Sequence, residues 1–218
     1  MSCAICEKRK EKRFCPAVHG RICPQCCGEN REVTLDCPSE CVYLQQARQH
    51  ERPRSLQDLD QAALFPQIEI GEQFVYQHEH LLLRINYALV KSARADQNLV
   101  DVDLIAALGA AAATYETLVT SGLHYEGPIA GVGQRAVAAQ IQNMIKEYRE
   151  AEQKHAGYSR LRDSDVLRAL VFLLRVAYSH TSGRPKSRAF VDFLYAQFPE
   201  KQSAIASLDE PGGKIITL

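Results

Sequence analysis

All eight cysteines of this 218-residue chain lie between Cys3 and Cys41. The spacing is C-x2-C at Cys3 and Cys6, a lone Cys15, C-x2-C-C at Cys23, Cys26 and Cys27, and C-x3-C at Cys37 and Cys41. Two C-x2-C pairs separated by a loop are the usual donor set of a tetrahedral zinc site. Each short pair lets two thiolates meet one ion, and the chain between them folds the second pair back onto the first. The segment also needs such an ion. Up to Tyr43 its large apolar residues are few, namely Ile5, Phe14, Val18, Ile22, Val33 and Leu35, and so small a unit seldom holds together without metal or disulfides.

Disulfides would require an oxidising compartment. The chain opens Met-Ser-Cys, without the charged start, apolar stretch and cleavage site of a secretory signal. Reduced thiols and a cytoplasmic location are therefore expected. A redox C-x2-C would open a helix inside a βαβ unit, and no such pattern is present. Spacing assigns one ion to Cys3, Cys6, Cys23 and Cys26. A second falls to Cys15, Cys37 and Cys41, completed by Cys27 or by His19, with Cys27 favoured. Two structural Zn2+ ions are expected. A site filled by four thiolates has no open position for a catalytic water, so the ions are not expected to hydrolyse anything.

The local pattern predicts a small treble-clef-like or zinc-ribbon-like module over residues 1–52. Cys23-Pro24-Gln25-Cys26-Cys27-Gly28 reads as a zinc knuckle, with Gly28 at the tight turn. Arg31 to Asp36 alternates polar and apolar residues like a short strand. Pro38 reads as a helix start, which would put Cys37 and Cys41 on one helical face and carry the helix to about His50. Arg52-Pro53-Arg54 would end it.

The runs Arg13-Phe14-Cys15, Ile22-Cys23-Pro24-Gln25-Cys26-Cys27-Gly28, Arg31-Glu32, Cys37-Pro38 and Cys41-x-Tyr43-Leu44 resemble an uncharacterised bacterial family with a Cys-rich, zinc-binding N-terminal segment and a helical C-terminal part. Thr120 to Glu126 is a weaker echo. The resemblance implies zinc and brings no activity with it.

Beyond a linker at 53–66, with a short helix at Ser55–Leu64, the pattern turns helical, and an α-helical bundle is expected over 67–200, followed by a tail at 201–218. Val75, His78, Leu82, Ile85 and Leu89 form the stripe of a long helix over Glu72–Ala95. Leu104, Leu108, Ala111, Tyr115 and Leu118 form the next, capped by Asp101 or Asp103 and ended by Gly122. A third runs over Gln134–Lys154. A fourth starts at Asp163 or Ser164, and its Ala169–Tyr178 stretch is apolar nearly all round, which marks it as central. A short helix over Ala189–Phe198 closes the bundle. The fold class expected is mainly α.

Charge balance narrows the function. Lys+Arg and Asp+Glu stand at 26 each, so the chain is neither a basic nucleic-acid arm nor an acidic tail. The run Ala169–Tyr178 is too short to cross a bilayer and contains Arg175, so no membrane partner is expected. His78-Glu79-His80 is not H-E-x-x-H and reads as packing. Glu72, Glu79 and Glu116 lack the Glu-x-x-His of ferritin-like metal sites. Arg175, Arg184, Lys186 and Arg188 are candidate anion ligands, the last three in a turn before a helix. The function expected is a non-catalytic zinc-binding protein that docks a protein partner. The alternatives are a nucleic-acid-binding regulator using Lys8-Arg9-Lys10, Lys12-Arg13 and the 184–188 turn, and an enzyme with a site around Arg175, Tyr115 and His124. Ten Lys/Arg against seven Asp/Glu give residues 1–56 a net +3. Eight thiolates around two Zn2+ add about −4, which argues against nucleic acid.

Overall fold

The computed structural model describes residues 1–51, 54–125 and 127–199; the expected helix end at Arg52-Pro53, Glu126 of the weaker echo and the tail at 201–218 lie outside them. The chain is mainly α, with a Cys-rich N-terminal module ahead of a helical bundle. In the module, strands β1 (Arg13–Cys15) and β2 (Gly20–Ile22) pair antiparallel with Cys15 opposite Gly20. A single 3-10 turn, Pro16–Val18, and a left-handed His19 (φ 48°) reverse the chain between them. Helix α1 (Pro24–Asn30) follows directly, and α2 (Val42–His50) ends the module. Thiol loop, hairpin, then a helix that starts on the second thiol pair is a treble-clef-like order.

Three local expectations for the module are corrected. Arg31–Asp36 is a turn, not a strand. The Asn30 carbonyl accepts from the amides of Val33, Thr34 and Leu35, and Glu32 between them is left-handed, φ 53°. The Cys23–Gly28 run is the first turns of α1, with Cys23 as N-cap and Pro24 at the first helical position. Gly28 lies inside that helix and makes no tight turn. Helix α2 begins at Val42, not Pro38, with Cys41 as its extended N-cap. Cys37 and Cys41 therefore do not share a helical face. The turn at 38–40 instead carries Ser39 to the bundle, where its hydroxyl donates to Asp192 at 2.7 Å.

The bundle comprises α3 (Glu72–Gln77), α4 (Glu79–Ala95), α5 (Asp101–Ser121), α6 (Val132–Ala156), α7 (Asp163–His180) and α8 (Ala189–Gln197). The single helix expected over Glu72–Ala95 is two, broken at His78 (φ −111°, ψ 20°), whose ring lies 4.5 Å from that of Phe74. The expected short helix at Ser55–Leu64 is two 3-10 turns, Leu56–Asp58 and Gln61–Leu64. Gly122 ends α5 in the left-handed region, φ 72°, as its place in the sequence demands.

Helix α7 does not hold the centre alone. Leu104, Ala107, Leu108 and Ala112 of α5 are fully buried, and α5 packs against α6, α7 and α8. By length and composition α5 could also cross a membrane, with 44% of it buried in this fold. Gly109 sits in its middle. Glycine there gives up about 1 kcal/mol of helix stability against alanine, although a Cβ would meet nothing within 4 Å.

The start of α5 organises the start of α8. Asp101 is fully buried. Its Oδ1 accepts from the amides of Phe190 and Val191, both at 3.1 Å, and its Oδ2 from the Ser187 hydroxyl at 2.6 Å. It thus caps α8 from another helix, satisfying amides that α8 leaves free. Burial raises its pKa, opposed by the hydrogen bonds from Ser187, Thr181, Val191 and Phe190. A raised carboxylate contributes stability that is full below the unfolded value and lost as pH rises through the folded one. Asp101→Ala should lower unfolding stability by about 3 kcal/mol, because three donors lose their acceptor. In denaturant titrations the advantage of wild type over Asp101→Asn should widen as pH falls from 7 to 4; a constant gap would refute this account of the carboxylate.

Candidate metal centre

The thiol loop is closed at its base. The Cys3 amide donates to the Arg9 carbonyl at 2.8 Å and the Glu7 amide to the Cys3 carbonyl at 2.8 Å, with Glu7 left-handed, φ 57°. This curls Cys3 and Cys6 onto one side. The first turn of α1 brings Cys23 and Cys26. The four Sγ atoms all lie within 4.8 Å of one another. Tetrahedral coordination at about 2.3 Å would set sulfurs about 3.8 Å apart, so the quartet fits one ion with small adjustment. Cys3, Cys23 and Cys26 are buried.

Donors converge on these sulfurs as they would on thiolates. The amides of Cys23 (3.2 Å) and Ile5 (3.5 Å) point at Cys3 Sγ, and that of Cys26 (3.4 Å) at Cys23 Sγ. Burial pushes the Cys3 thiol up, but the amides of Cys6, Cys23 and Ile5 bring it down to about 6. The Cys26 amide is the main cause lowering Cys23. Cys26 goes the other way, to about 12, through burial and its crowded sulfur neighbours. Four thiolates cannot coexist here unaided, and a divalent cation is what offsets their repulsion. Arg9 supplies part of that charge, with Nη1 at 3.6 Å from Cys23 Sγ and 3.8 Å from Cys26 Sγ.

The remaining four thiols form no group as tight as this among the described residues. Cys15 and Cys27 are buried with the quartet around Ile22. Cys37 is raised chiefly by burial, with the charges of Cys15 and Cys41 adding to it, so these three are electrostatic neighbours. The Glu32 amide points at Cys37 and opposes the rise. His19 is exposed.

Glu32 is the buried charge that periodicity could not reveal. It is 1% exposed and lies where module and bundle meet. Arg48 of α2 pairs with it at 2.9 Å and with Asp192 of α8 at 2.6 Å. Ser182 donates to its carboxylate at 3.1 Å, and the Lys186 amide to its carbonyl at 2.8 Å.

The candidate anion ligands are engaged at this junction or in the core. Arg184 reaches the Arg31 carbonyl at 3.1 Å, and Lys186 reaches Asp36 at 2.8 Å. Arg188 donates to the carbonyls of Gln97 and Leu99. Arg175 donates to those of Leu64, Phe65 and Ile68. The trio of the enzyme reading is dispersed in role: Arg175 holds backbone, Tyr115 is buried in the core, and His124 is exposed. No family model, curated protein or solved structure matches the chain.

Removing Arg48 strands a buried carboxylate, which typically costs about 3 kcal/mol. Arg48→Ala should show that loss in denaturant unfolding, and adding Glu32→Gln should recover part of it, since a neutral amide needs no cation. Strictly additive losses would contradict the coupling. The apolar clusters of module and bundle are separate. Strong chelation should therefore leave most helical circular dichroism intact, whereas its collapse would mean one shared core.

Proposed function

We propose that this chain is a non-catalytic zinc-binding protein of the cytoplasm, whose module takes two structural Zn2+ ions and presents a surface to a protein partner. The quartet of Cys3, Cys6, Cys23 and Cys26 carries the reading: four thiolate donors fill a tetrahedral ion and leave no position for substrate. All-sulfur donors suit zinc, and the resemblance of the Cys-rich run to a zinc-binding family agrees. The second ion would take Cys15, Cys37 and Cys41, with Cys27 rather than His19, because Cys27 is buried among the thiols and His19 faces solvent. The partner surface would draw on exposed apolar residues of the module, Ile5, Phe14 (57% exposed) and Val42 (59% exposed).

Metal analysis of the purified chain should give two zinc ions, with Cys3→Ser and Cys37→Ser each losing one. One ion in wild type would remove the second site. Capture from native extract should retain a protein that Phe14→Ser releases at unchanged zinc content; equal capture by both would remove the proposed surface.

A second reading, a nucleic-acid-binding regulator, draws on exposed Lys8, Lys10 and Lys12. Its arginines are otherwise engaged: Arg9 with the thiols, Arg13 4.6 Å over the Tyr43 ring, and Arg21 with Glu11 at 3.3 Å. Salt-resistant retention of the full chain on heparin, lost in a Lys8/Lys10/Lys12→Ala variant, would favour it.

A further inference from the structure

Nothing in the metal-bearing half accounts for the open face of α5. A helix apolar on all sides belongs wholly inside. Yet Ala106, Gly109, Ala110 and Ala113 are only partly covered, and Val102 is 41% exposed. These residues form the floor of a cavity of about 660 Å³, a size ordinary for small-molecule sites. One wall is Ala62, Ala63 and Phe65, the segment whose carbonyls Arg175 holds. Gly127 and Pro128 border the cavity from the loop before α6. Gly127 is pinned to α5, its amide donating to the Thr114 hydroxyl at 3.3 Å.

The lining is apolar except at one end. Tyr178, Thr181 and Gly183 lie there, at the end of α7, together with Arg54, the only charged residue among the described residues of the lining. The Arg54 guanidinium lies over Gly183, where any side chain would collide with it. No hydrogen bond or ion pair ties Arg54 to another described residue. The contacts of Asp101 with Ser187 place the start of α5 beside this same end. The floor then runs away from Arg54, from Val102 to Ala113, about 16 Å along the helix axis.

We infer that this cavity binds a medium-chain alkyl carboxylate, with its chain laid along α5 and its carboxylate at Arg54. The length of the floor fits an extended chain better than a compact ring. Burying the chain takes apolar surface of both partners from water. Arginine offers a carboxylate two parallel hydrogen bonds, and none of the described residues of the lining is acidic. Gly109 fits the same picture. The protein puts nothing where its side chain would be, so the space it leaves belongs to the cavity.

The test is calorimetric titration of the full zinc-loaded chain with decanoate, decanol and decylamine below their micellar concentrations. Decanoate should bind one per chain, at least about tenfold tighter than decanol and tighter still than decylamine, as a carboxylate–arginine pair requires. Arg54→Ala should bring decanoate down to the level of decanol. Gly109→Leu should abolish binding with helical circular dichroism retained, and Ala106→Leu does the same duty should the first variant fail to fold. No one-to-one binding of decanoate to wild type, undiminished binding in folded Gly109→Leu or Ala106→Leu, or decylamine binding as well as decanoate would each overturn the inference.

Discussion

A buried carboxylate fixes how the two halves of this protein meet. Glu32 is almost wholly shielded from water, and an ionised group so placed must be surrounded by donors or left neutral. Arg48 and Ser182 are those donors, one from the last helix of the module and one from the turn before α8. Arg48 reaches Asp192 as well, so a single guanidinium binds α2 to both sides of the junction. The orientation of α2, and with it the turn that carries Cys37 and Cys41, follows from satisfying one charge. The left-handed backbone at Glu32 turns the chain so that its carbonyl accepts from Lys186 while its side chain enters the junction.

The module on the far side of that junction has almost no apolar core of its own. Ile22 is its one large fully buried aliphatic within the thiol cluster. What gathers the chain is the convergence of sulfurs, and sulfurs gathered as thiolates repel. Backbone amides bring Cys3 down to about 6, whereas burial and the neighbouring sulfurs push Cys26 up to about 12. Backbone amides can stabilise one or two negative charges in such a cluster, and Arg9 adds a cation at the edge, but four charges call for an ion among them. An ion bound there would couple metal affinity to folding of the module; the bundle has its own separate apolar cluster.

The sequence made the class of the fold and the convergence of the first four cysteines legible, because both are written in period and spacing. Helices α5 to α8 came out with ends close to those observed, since Gly122 and the apolar stripes act locally. The failures have two causes, a local turn that alternation hides and partners distant in the chain. Arg31–Asp36 alternates like a strand, but the Asn30 carbonyl and a left-handed Glu32 turn it, and nothing in the alternation reveals an acceptor five residues back. Pro38 looks like a helix start, but Ser39 is drawn to Asp192, a partner 153 residues away. Of the two caps expected for α5, Asp103 does accept from the Val100 amide, while Asp101 caps α8. Capping and turn chemistry can be read from sequence only while the partner is near in the chain.

Arginine in this fold shows the same point on a larger scale. A cation inside an apolar helix invites the idea of an anion site, and Arg175 was the natural candidate. Its guanidinium is occupied by three carbonyls from Leu64, Phe65 and Ile68, in a segment whose 3-10 turns leave acceptors unmatched. Arg188 does the same for Gln97 and Leu99, and Arg184 for Arg31. Buried carbonyls without a regular ladder must find donors, and a long planar side chain with five N–H groups can reach them from a neighbouring helix. Irregular segments of this protein are thus held by arginines, Arg175 from within α7 and Arg184 and Arg188 from the turn before α8. Arg54 stands apart from that pattern, because it faces a cavity rather than a carbonyl.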